Sequence, residues 1–323
     1  MQIKENEPLS KYTTFHIGGP AKYFVIVKNA EELREALKWA EEKGEKYFIL
    51  GGGSNLLFSD NGFSGLVIKI AFMSVEIDGE EVIAGAGAPL LLVAKKAAEA
   101  GLAGIENLAG IPGTIGGAVC DNAGAYGGEI ADAVQKAEIL TVGSSTSYQL
   151  EQVDKNWFEF EYRKSKLKEW SRLNLDHQKP VILRVWLKLK NVGVQNSEPL
   201  QNRIKEVMQD RREKEPKGFS AGCAFKNIKG GQVAEILEKF DFTPEERERF
   251  GSREAIPTAW FIEKAGLKGK KIGGAYIPKE HANYLINDGT ATADNVLQLI
   301  SLIKQQVRDK FGIQLEEEIQ IIS

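Results

Sequence analysis

The sequence predicts an α+β fold with two regions that meet near residue 193. Three observations favour it: strands and helices alternate from residue 22, a glycine-rich stretch fills residues 102 to 130, and a polar stretch follows residue 190. The 323 residues suffice for two or three packed units, since single domains usually have about 100 to 200 residues. Apolar residues at 42% and charged residues at 27% indicate an ordinary globular protein.

A strand–helix–strand unit begins at residue 22. The stretches "KYFVIV" and "KYFIL" are typical of strands, and the segment between them has helical periodicity. Asn29 can cap this helix, with Glu32 three places on, and Gly44 can close it. The apolar face of the helix comprises Leu33, Ala36, Leu37 and Ala40. The unit ends in "GGGSNLL"; strands in "LVIKI" and "EVIAGAG" and a helix through "LLLVAKKAAEA" follow.

The stretch "LAGIENLAGIPGTIGGAVCDNAGAYGGEI" contains eight glycines and one proline. Long irregular loops inside compact domains are usually functional or disordered, and the interleaved Ile, Leu and Val argue against disorder. We predict an ordered ligand-binding loop, with a purely structural glycine loop as the alternative. A flat ring system or an extended dinucleotide could lie against main chain along the path of Gly113, Gly116, Gly117, Gly124 and Gly127.

Strands in "AEILTV" and "VILRVWLKLK" close the first region, and "NVGVQNSEPLQN" is interpreted as a linker. The second region begins with a charged helix that ends near "DRREKEP". Helices through "GQVAEILEKF" and "TAWFIEKAG", a strand in "NYLIN", a long helix from near Thr292 and a terminal strand follow. The long helix should bury a face that comprises Val296, Ile300, Ile303, Val307 and Phe311.

Composition argues against several classes of protein. A net charge of −3 gives no reason to expect nucleic acid or an anionic membrane as partner. The N-terminus lacks the apolar core of a signal peptide and no stretch is long enough for a membrane helix, so we expect a cytoplasmic protein. Cys120 and Cys223 form no CxxC pair, and the scattered His16, His177 and His281 do not predict a metal centre.

Four stretches could carry chemistry. In "FILGGGSNLL" three glycines follow an apolar strand, which suits phosphate binding or a plain tight turn equally. "FEYRKSKLK" offers Arg163 for a carboxylate or phosphate, or as a solvated charge. In "FSAGCAFKN", Cys223 is either a small buried apolar residue or a reactive thiol. The terminal "GIQLEEEIQIIS", read as a strand, puts Glu318 opposite a core face of Ile313, Leu315, Ile319 and Ile321.

Taken together, the motifs resemble one family. "TTFHIGGPAKYF", "ILGGGSNLL", "NLAGIPGTIGGAVCDNAGAYGGEI", "YRKS", "SAGCAFKN", "AGLKGKKIGGAYIPKEHANYLIN" and "LEEEI" stand in the order found in UDP-N-acetylenolpyruvoylglucosamine reductases, across residues 8 to 320. The resemblance implies an FAD-binding domain of the vanillyl-alcohol-oxidase (PCMH) type over residues 1–192. It also implies two subdomains within it, about 1–65 and 66–192, and a C-terminal α+β substrate-binding domain over 193–323.

The resemblance also implies the reaction and its ligands. NADPH would reduce FAD, which would reduce the enolpyruvyl ether of UDP-N-acetylglucosamine to UDP-N-acetylmuramate in peptidoglycan synthesis. The implied FAD-binding residues are Gly51, Gly52, Gly53, Ser54, Asn55, Ile111, Pro112, Gly113, Thr114, Gly116, Gly117, Ala118, Asn122 and Gly124. The implied substrate-binding residues, which include positions used for NADPH, are Tyr162, Lys214, Asn227 and His281. No metal is implied, and a monomer is the default expectation.

Three residues carry the implied catalysis. Arg163 would hold the substrate carboxylate, Cys223 would donate a proton where the family has a serine, and Glu318 would orient or polarise the substrate. The sequence departs from the family pattern at His16, Asp121 and Gln320. Two alternatives stay open: an FAD oxidoreductase of the same fold with another substrate, and a non-catalytic nucleotide-sugar or flavin-binding protein.

Overall fold

The computed structural model describes residues 1–142, 148–172 and 179–323, so His177 lies outside the described residues. Within these ranges the ten α-helices are α1 Ala30–Glu42, α2 Leu90–Glu99, α3 Ile115–Asp121, α4 Ile130–Ala133, α5 Lys166–Arg172, α6 Ser197–Lys214, α7 Gln232–Lys239, α8 Pro244–Ser252, α9 Thr258–Lys264 and α10 Ala293–Phe311. The twenty strands of the described residues are β1 Lys4–Pro8, β2 Pro20–Val27, β3 Tyr47–Leu50, β4 Leu56–Phe58, β5 Phe63–Ile70, β6 Val75–Asp78, β7 Glu81–Gly85, β8 Leu102–Ala103, β9 Gly124–Ala125, β10 Gly128–Glu129, β11 Val134–Val142, β12 Tyr148–Asp154, β13 Val181–Lys188, β14 Lys190–Asn191, β15 Ile228–Lys229, β16 Ala255–Ile256, β17 Lys271–Ile272, β18 Ala275–Tyr276, β19 Ile286–Asn287 and β20 Gln320–Ile322.

The first sheet has the strand order β1-β2-β5-β3. Strands β2 and β3 both run parallel to β5, and β1 is antiparallel to β2. Helix α1 begins where predicted, because the Asn29 side chain accepts the N–H of Glu32 at 2.9 Å. Its predicted apolar face is confirmed as buried: Leu33, Ala36, Leu37 and Ala40.

The second sheet is antiparallel throughout, with the order β12-β11-β13-β7-β6. Apolar side chains from both sheets and from α1, α2 and α3 form one continuous cluster, which we call the first core. On the other face of the first sheet, Phe24, Leu50 and Val67 belong to a smaller cluster. The glycine turn after β3 therefore lies between elements that are packed on both sides.

The C-terminal helices surround a second core, which includes Phe261 and the buried face of α10. Thr292 caps α10 by accepting the N–H of Asn295 at 3.2 Å. The predicted apolar face is buried at Val296, Ile300, Ile303 and Val307, and Phe311 packs against it half-buried. Three residues from the start of the chain also enter this core: Phe15, Ile17 and Leu57.

The last strand returns to the first region. Strand β20 pairs in parallel with β4, and the N–H of Gln320 donates to the Asn55 carbonyl at 3.0 Å. The predicted terminal strand over residues 313–321 is wrong in extent, because regular pairing covers only β20. Leu315 and Ile319 are buried as predicted, but Ile321 is 44% exposed, since β20 has β4 as its only strand partner in the described sheets.

Two other predictions are corrected. The stretch 102–130 is not irregular throughout, because it contains α3, capped by Thr114. The second half of the stretch interpreted as a linker, residues 197–202, forms the start of α6, which begins at Ser197. Helix α6 packs against α2 and carries Ile204 into the first core, although the predicted boundary at 192/193 assigns it to the second domain.

No described helix has the length and apolar character needed to cross a bilayer. Among the same residues, no three or more His, Cys, Asp or Glu side chains are grouped so that they could hold a metal ion. Cys120 and Cys223 are both free thiols.

Candidate active site

A cavity of about 450 Å³ lies where the two glycine segments, the cysteine turn and the chain's last strand converge. Most of the predicted site residues line it: Gly51, Gly52, Gly53, Ser54, Asn55, Ile111, Pro112, Gly113, Thr114, Gly116, Gly117, Ala118, Gly124, Arg163, Cys223 and Glu318. Residues up to 267 positions apart in sequence thus share one wall (Gly51 and Glu318). The tertiary fold brings together motifs that the sequence could only place in order.

The turn after β3 needs glycine for steric reasons. Gly53 has a φ of +66°, and a Cβ there would lie 2.0 Å from the Tyr12 carbonyl oxygen. A Cβ on Gly52 would lie 2.6 Å from the Cα of Gly113, so the two glycine segments touch through bare backbone. Lys69 secures the turn by donating to the Gly51 carbonyl at 3.0 Å, and burial lowers the pKa of Lys69. The turn is therefore a rigid main-chain surface.

Helix α3 forms the neighbouring wall. The Thr114 hydroxyl accepts the N–H of Gly117 at 3.4 Å and fixes the first turn. A Cβ on Gly116 would lie 2.8 Å from Ala86, so this glycine allows α3 to pack closely on the first core. A Cβ on Gly117 would contact only Thr114 Oγ1, at 3.5 Å, so the missing side chain leaves space on the cavity side. Such a wall is compatible with the flat ring or extended dinucleotide expected from the glycine path, although Gly127 of that path does not line the cavity.

The cysteine turn is held from both sides. The Thr14 hydroxyl donates to the Ser220 carbonyl at 2.7 Å. The buried Asn283 amide accepts the Phe225 N–H at 3.0 Å and donates to the Phe225 carbonyl at 2.8 Å. The Glu318 N–H donates to the carbonyl of Ala224 at 2.8 Å. The backbone of Glu318 is thus bonded to the residue next to Cys223.

Arg163 and Glu318 form an ion pair, with 2.8 Å between Nε and Oε1. Arg163 has a left-handed φ of +55°, a conformation that costs a residue with a side chain about 1 to 3 kcal/mol. Burial lowers the pKa of Arg163, but the opposing charges, chiefly Glu318, leave it raised. Burial raises the pKa of Glu318 despite the nearby Arg163 charge. The strained backbone therefore presents a permanent cation beside a carboxyl group that accepts protons readily.

Cys223 is half-buried and lines the cavity beside this pair. Burial and the Glu318 charge raise its pKa to about 12, although Arg163 acts in the opposite direction. Lys226, three residues after Cys223, pairs with Glu316 at 2.6 Å. A thiol with this pKa is fully protonated at neutral pH, so Cys223 can act as a proton donor and is a poor nucleophile.

Asn122 does not line the cavity. It has a left-handed φ of +44° and ends α3. Its side chain donates to the Glu161 carbonyl at 2.8 Å and to Glu129 at 3.0 Å, and it accepts the N–H of Ala131 at 3.3 Å. Asn122 therefore connects the glycine stretch to the loop that carries Arg163, and its predicted contact with FAD stays a prediction.

The four predicted substrate-binding residues also lie outside the cavity lining. The Tyr162 ring faces the Lys229 ammonium at 3.8 Å. Burial raises the pKa of the Tyr162 hydroxyl. Asn227 accepts the N–H of Thr258 at 3.3 Å. Their predicted roles stay predictions.

The other two predicted substrate-binding residues are Lys214 and His281. Lys214 pairs with Asp210 on the exposed surface of α6. The His281 ring packs edge-on against Tyr284 at 4.8 Å, and burial lowers its pKa. Tyr284 lines the cavity, so His281 stands directly behind a lining residue.

Sequence reasoning assigned no role to several polar residues that line the cavity. Arg211 and Glu215 form an ion pair near the end of α6, and Tyr284 hydrogen-bonds to Glu215. Lys168 pairs with Asp121 at 3.0 Å. Their sequence signal is weak, because charged residues near a helix end are normally solvated. In the sequence, Asp121 stands out only as a departure from the family pattern.

The chain is similar along its whole length to named enzymes. It is 40% identical to the UDP-N-acetylenolpyruvoylglucosamine reductase of Caldicellulosiruptor bescii, across 100% of this chain and 91% of that protein. The reductase of the same name from Caldanaerobacter subterraneus subsp. tengcongensis is 35% identical, across 98% of this chain and 92% of the relative. The crystal structure of the Thermus caldophilus UDP-N-acetylenolpyruvylglucosamine reductase superposes with a TM-score of 0.73 at 33% identity, and covers 100% of this chain and 98% of that one.

Two family models match separate parts of the chain. One is described as an FAD binding domain and matches residues 21–148; the other is described as the C-terminal domain of UDP-N-acetylenolpyruvoylglucosamine reductase and matches residues 214–322. These matches and the Thermus structure confirm the predicted fold class, an FAD-binding domain of the vanillyl-alcohol-oxidase type followed by a C-terminal α+β domain. The cavity fits FAD, because the glycines of both segments leave main chain bare in its wall.

Proposed function

Because the chain belongs to the UDP-N-acetylenolpyruvoylglucosamine reductase family, we propose that it reduces UDP-N-acetylglucosamine enolpyruvate to UDP-N-acetylmuramate with NADPH, and that Cys223 donates the proton. It is an FAD-dependent oxidoreductase of peptidoglycan precursor synthesis. The observation that carries the finer proposal is the convergence of Arg163, Glu318 and Cys223 on one glycine-lined cavity.

FAD would be held by the backbone of two segments, 51–55 and 111–118 with Gly124. When bound, it supplies the two-electron chemistry that joins NADPH oxidation to substrate reduction. The bare main chain lets the cofactor approach closely, and the rigid packing of the two segments keeps its position fixed. We also propose that the FAD-binding domain comprises residues 1–192 and the substrate-binding domain 193–323.

Arg163 stabilises charge on the substrate. Hydride addition to the methylene carbon of the enolpyruvyl group leaves negative charge on the neighbouring carbon and its carboxylate. A buried, pre-oriented guanidinium is most favourable when this charge develops, because little solvent screens it. Glu318 Oε1 lies 2.8 Å from the guanidinium Nε, so the substrate carboxylate and Glu318 compete for Arg163.

Cys223 completes the reduction with its proton. The Sγ–H bond breaks, the proton forms a C–H bond at the carbon that carries the carboxylate, and the pair of electrons stays on sulfur. The raised pKa of the thiol, about 12, keeps the proton in place until strong negative charge develops beside it. Glu318, whose pKa is raised by burial, lies next to the turn and can return a proton to the thiolate.

We further propose that Tyr162, Lys214, Asn227 and His281 bind the nucleotide sugar or NADPH from outside the cavity lining. Tyr162 supports this role best, because it adjoins Arg163 in sequence and its ring faces the Lys229 ammonium. The Lys229 ammonium on the Tyr162 ring is therefore a further cation next to the reacting end of the substrate. Lys214 is the least constrained, since its partner Asp210 is on the same helix.

Single-turnover absorbance spectroscopy tests the proposal in two separate steps. NADPH should bleach the flavin of the wild-type protein and of Cys223→Ala alike, and NADH should do so more slowly. Addition of the enolpyruvyl substrate should restore the colour of the wild-type protein, at least 10²-fold faster than that of Cys223→Ala. Cys223→Ser should recover faster than Cys223→Ala, because a hydroxyl also carries a transferable proton. Equal recovery rates for the wild-type protein and Cys223→Ala would exclude the thiol as donor, and no recovery in any form would indicate a non-catalytic flavoprotein.

A further inference from the structure

Lys168 is a buried cation in the cavity wall. Its side chain is 10% exposed, and its Nζ lies 3.0 Å from Asp121 Oδ1. The pair does not have hydrogen-bond geometry, and no other described atom accepts a hydrogen bond from this ammonium group. Burying an ammonium whose N–H donors lack acceptors is costly, so the site is built to receive acceptor atoms from something in the cavity.

Asp121 holds the Lys168 ammonium in place without accepting a hydrogen bond from it. Asp121 Oδ1 accepts from Gln320 Nε2 at 2.9 Å, and Oδ2 accepts from Asn55 Nδ2 at 3.0 Å. The same Asn55 amide donates to the Glu318 carbonyl at 3.1 Å. The carboxylate of Asp121 is thereby fixed by the glycine turn and by the last strand. It orients the Lys168 ammonium, while most of the donor capacity of Lys168 remains for a ligand.

We propose that Lys168 is a cofactor-binding residue that donates a charge-assisted hydrogen bond to an oxygen of FAD, with Asp121 as its positioning residue. The inference rests on the FAD-dependent function above. FAD offers acceptors of two kinds, the diphosphate oxygens and the carbonyl and hydroxyl oxygens of its flavin portion. Both are strong enough acceptors to offset the desolvation of a buried ammonium.

The other cations of the wall are less suited to this task. Arg163, whose Nε also lacks a hydrogen-bond acceptor, lies beside Glu318 at the position assigned to the substrate carboxylate. Arg211 is paired with Glu215 at the end of α6, and Lys179 has a partner of its own. Lys168 lies on α5, and Ser165 at the start of that segment donates to the Cys120 carbonyl of α3 at 2.5 Å. This bond fixes α5 against the helix that lines the FAD wall, so the ammonium is positioned by the cofactor-binding wall itself.

The test is to remove the flavin from the full-length protein and to titrate FAD back into it. Fluorescence measures the binding. Lys168→Met should raise the FAD Kd by about tenfold to a hundredfold, the loss expected for one charge-assisted hydrogen bond. Lys168→Gln should lie between, because its amide keeps a donor but no charge. Asp121→Asn should weaken binding less than Lys168→Met. The matched control is Lys166→Met on the same helix, whose lysine pairs with Glu159 at 3.1 Å and does not line the cavity.

A parallel titration with riboflavin, which lacks the diphosphate, identifies the part of FAD that accepts the hydrogen bond from Lys168. Equal losses for riboflavin and FAD would assign Lys168 to the flavin portion, and a loss for FAD alone would assign it to the diphosphate. Thermal melting of each flavin-free variant separates folding from binding. An FAD Kd within twofold of the Lys166→Met control, in both Lys168→Met and Lys168→Gln, would overturn the inference. Substrate turnover by the wild-type protein is measured separately, so failure of the proposed function would be seen independently of this result.

Discussion

Arg163 and Glu318 are 155 positions apart in sequence, yet Nε of the first lies 2.8 Å from Oε1 of the second inside a shared cavity. The pair joins a strained loop before α5 to the segment before β20. Because each group alone would be an uncompensated buried charge, each stabilises the other in the free enzyme. If Arg163 holds the substrate carboxylate as proposed, that carboxylate competes with Glu318 for the same guanidinium, which would make the pair an element of function as well as of structure.

Glu318→Gln should slow flavin reoxidation by the substrate about 10²-fold while FAD stays bound. The amide cannot relay a proton to Cys223, but it no longer competes for Arg163 by charge, so KM should stay equal or fall. Steady-state kinetics with the visible flavin spectrum separate these effects. The control is Glu317→Gln, because Glu317 pairs with Lys304 at 2.7 Å away from the cavity. Loss of FAD from Glu318→Gln alone would show that this carboxyl group is structural.

Cys223 should resist alkylation at neutral pH. With a pKa of about 12, only about one thiol in 10⁴ is ionised at pH 8, against roughly a quarter for a free thiol of pKa 8.5. In the Cys120→Ala variant, Cys223 is the thiol that remains to react. The rate at which iodoacetamide alkylates Cys223 in this variant should therefore rise tenfold per pH unit from pH 7 to 9.5, without levelling. Mass spectrometry of the labelled peptide measures it, with the urea-unfolded protein as reference. A rate that levels off near pH 8.5 contradicts the raised pKa.

Gly52→Ala should weaken FAD binding and lower the melting temperature, because its Cβ would lie 2.6 Å from the Gly113 Cα and force the two glycine segments apart. Overpacking of this kind costs about 1 to 3 kcal/mol. Gly231→Ala is a suitable control, since a Cβ there has nothing within 4 Å. Equal melting temperatures for the two variants would show that the segments can separate without cost.

Asn283→Ala should destabilise the protein by about 2 to 3 kcal/mol, because it leaves the buried N–H and carbonyl of Phe225 without partners. The cysteine turn should loosen, so Cys223 should become alkylated faster. Denaturant unfolding and the labelling assay measure the two effects. Asn202→Ala, at an exposed position on α6, should change neither. Slow alkylation despite lost stability would indicate that Thr14 and the backbone of Glu318 suffice to hold the turn.

The sequence predicted most where local periodicity and local chemistry agree. Helices α1 and α10 have their caps at Asn29 and Thr292 and their buried faces as expected. Glycine density concealed α3, because Gly116 serves close helix packing and not an irregular loop. The polar start of α6 has few apolar residues, and its burial against α2 depends on tertiary contacts that no local pattern shows.

The candidate site was predictable only in part. Motif order indicated Arg163, Cys223 and Glu318, and all three line one cavity. Lys168 could not be found in the same way, because a lysine in a charged segment is normally solvated, and its burial follows from the packing of α5 on α3. The raised pKa of Cys223 likewise depends on burial that sequence does not encode locally.

The pairing of β20 with β4 sets the order in which this enzyme can become competent. Asn55 and Glu318, joined by a hydrogen bond, are 263 residues apart in the chain, and closing so long a loop costs entropy that local contacts do not repay. Most of each core can therefore condense before this closure, although Phe15, Ile17 and Leu57 join the second core only when the start of the chain meets the C-terminal helices. A folding intermediate that has formed the glycine turn, but has not yet docked the last strand, would lack Glu318, the carboxyl group proposed to take part in catalysis, and one wall of the cavity. Chemistry is thereby withheld until the polypeptide has reached its native topology.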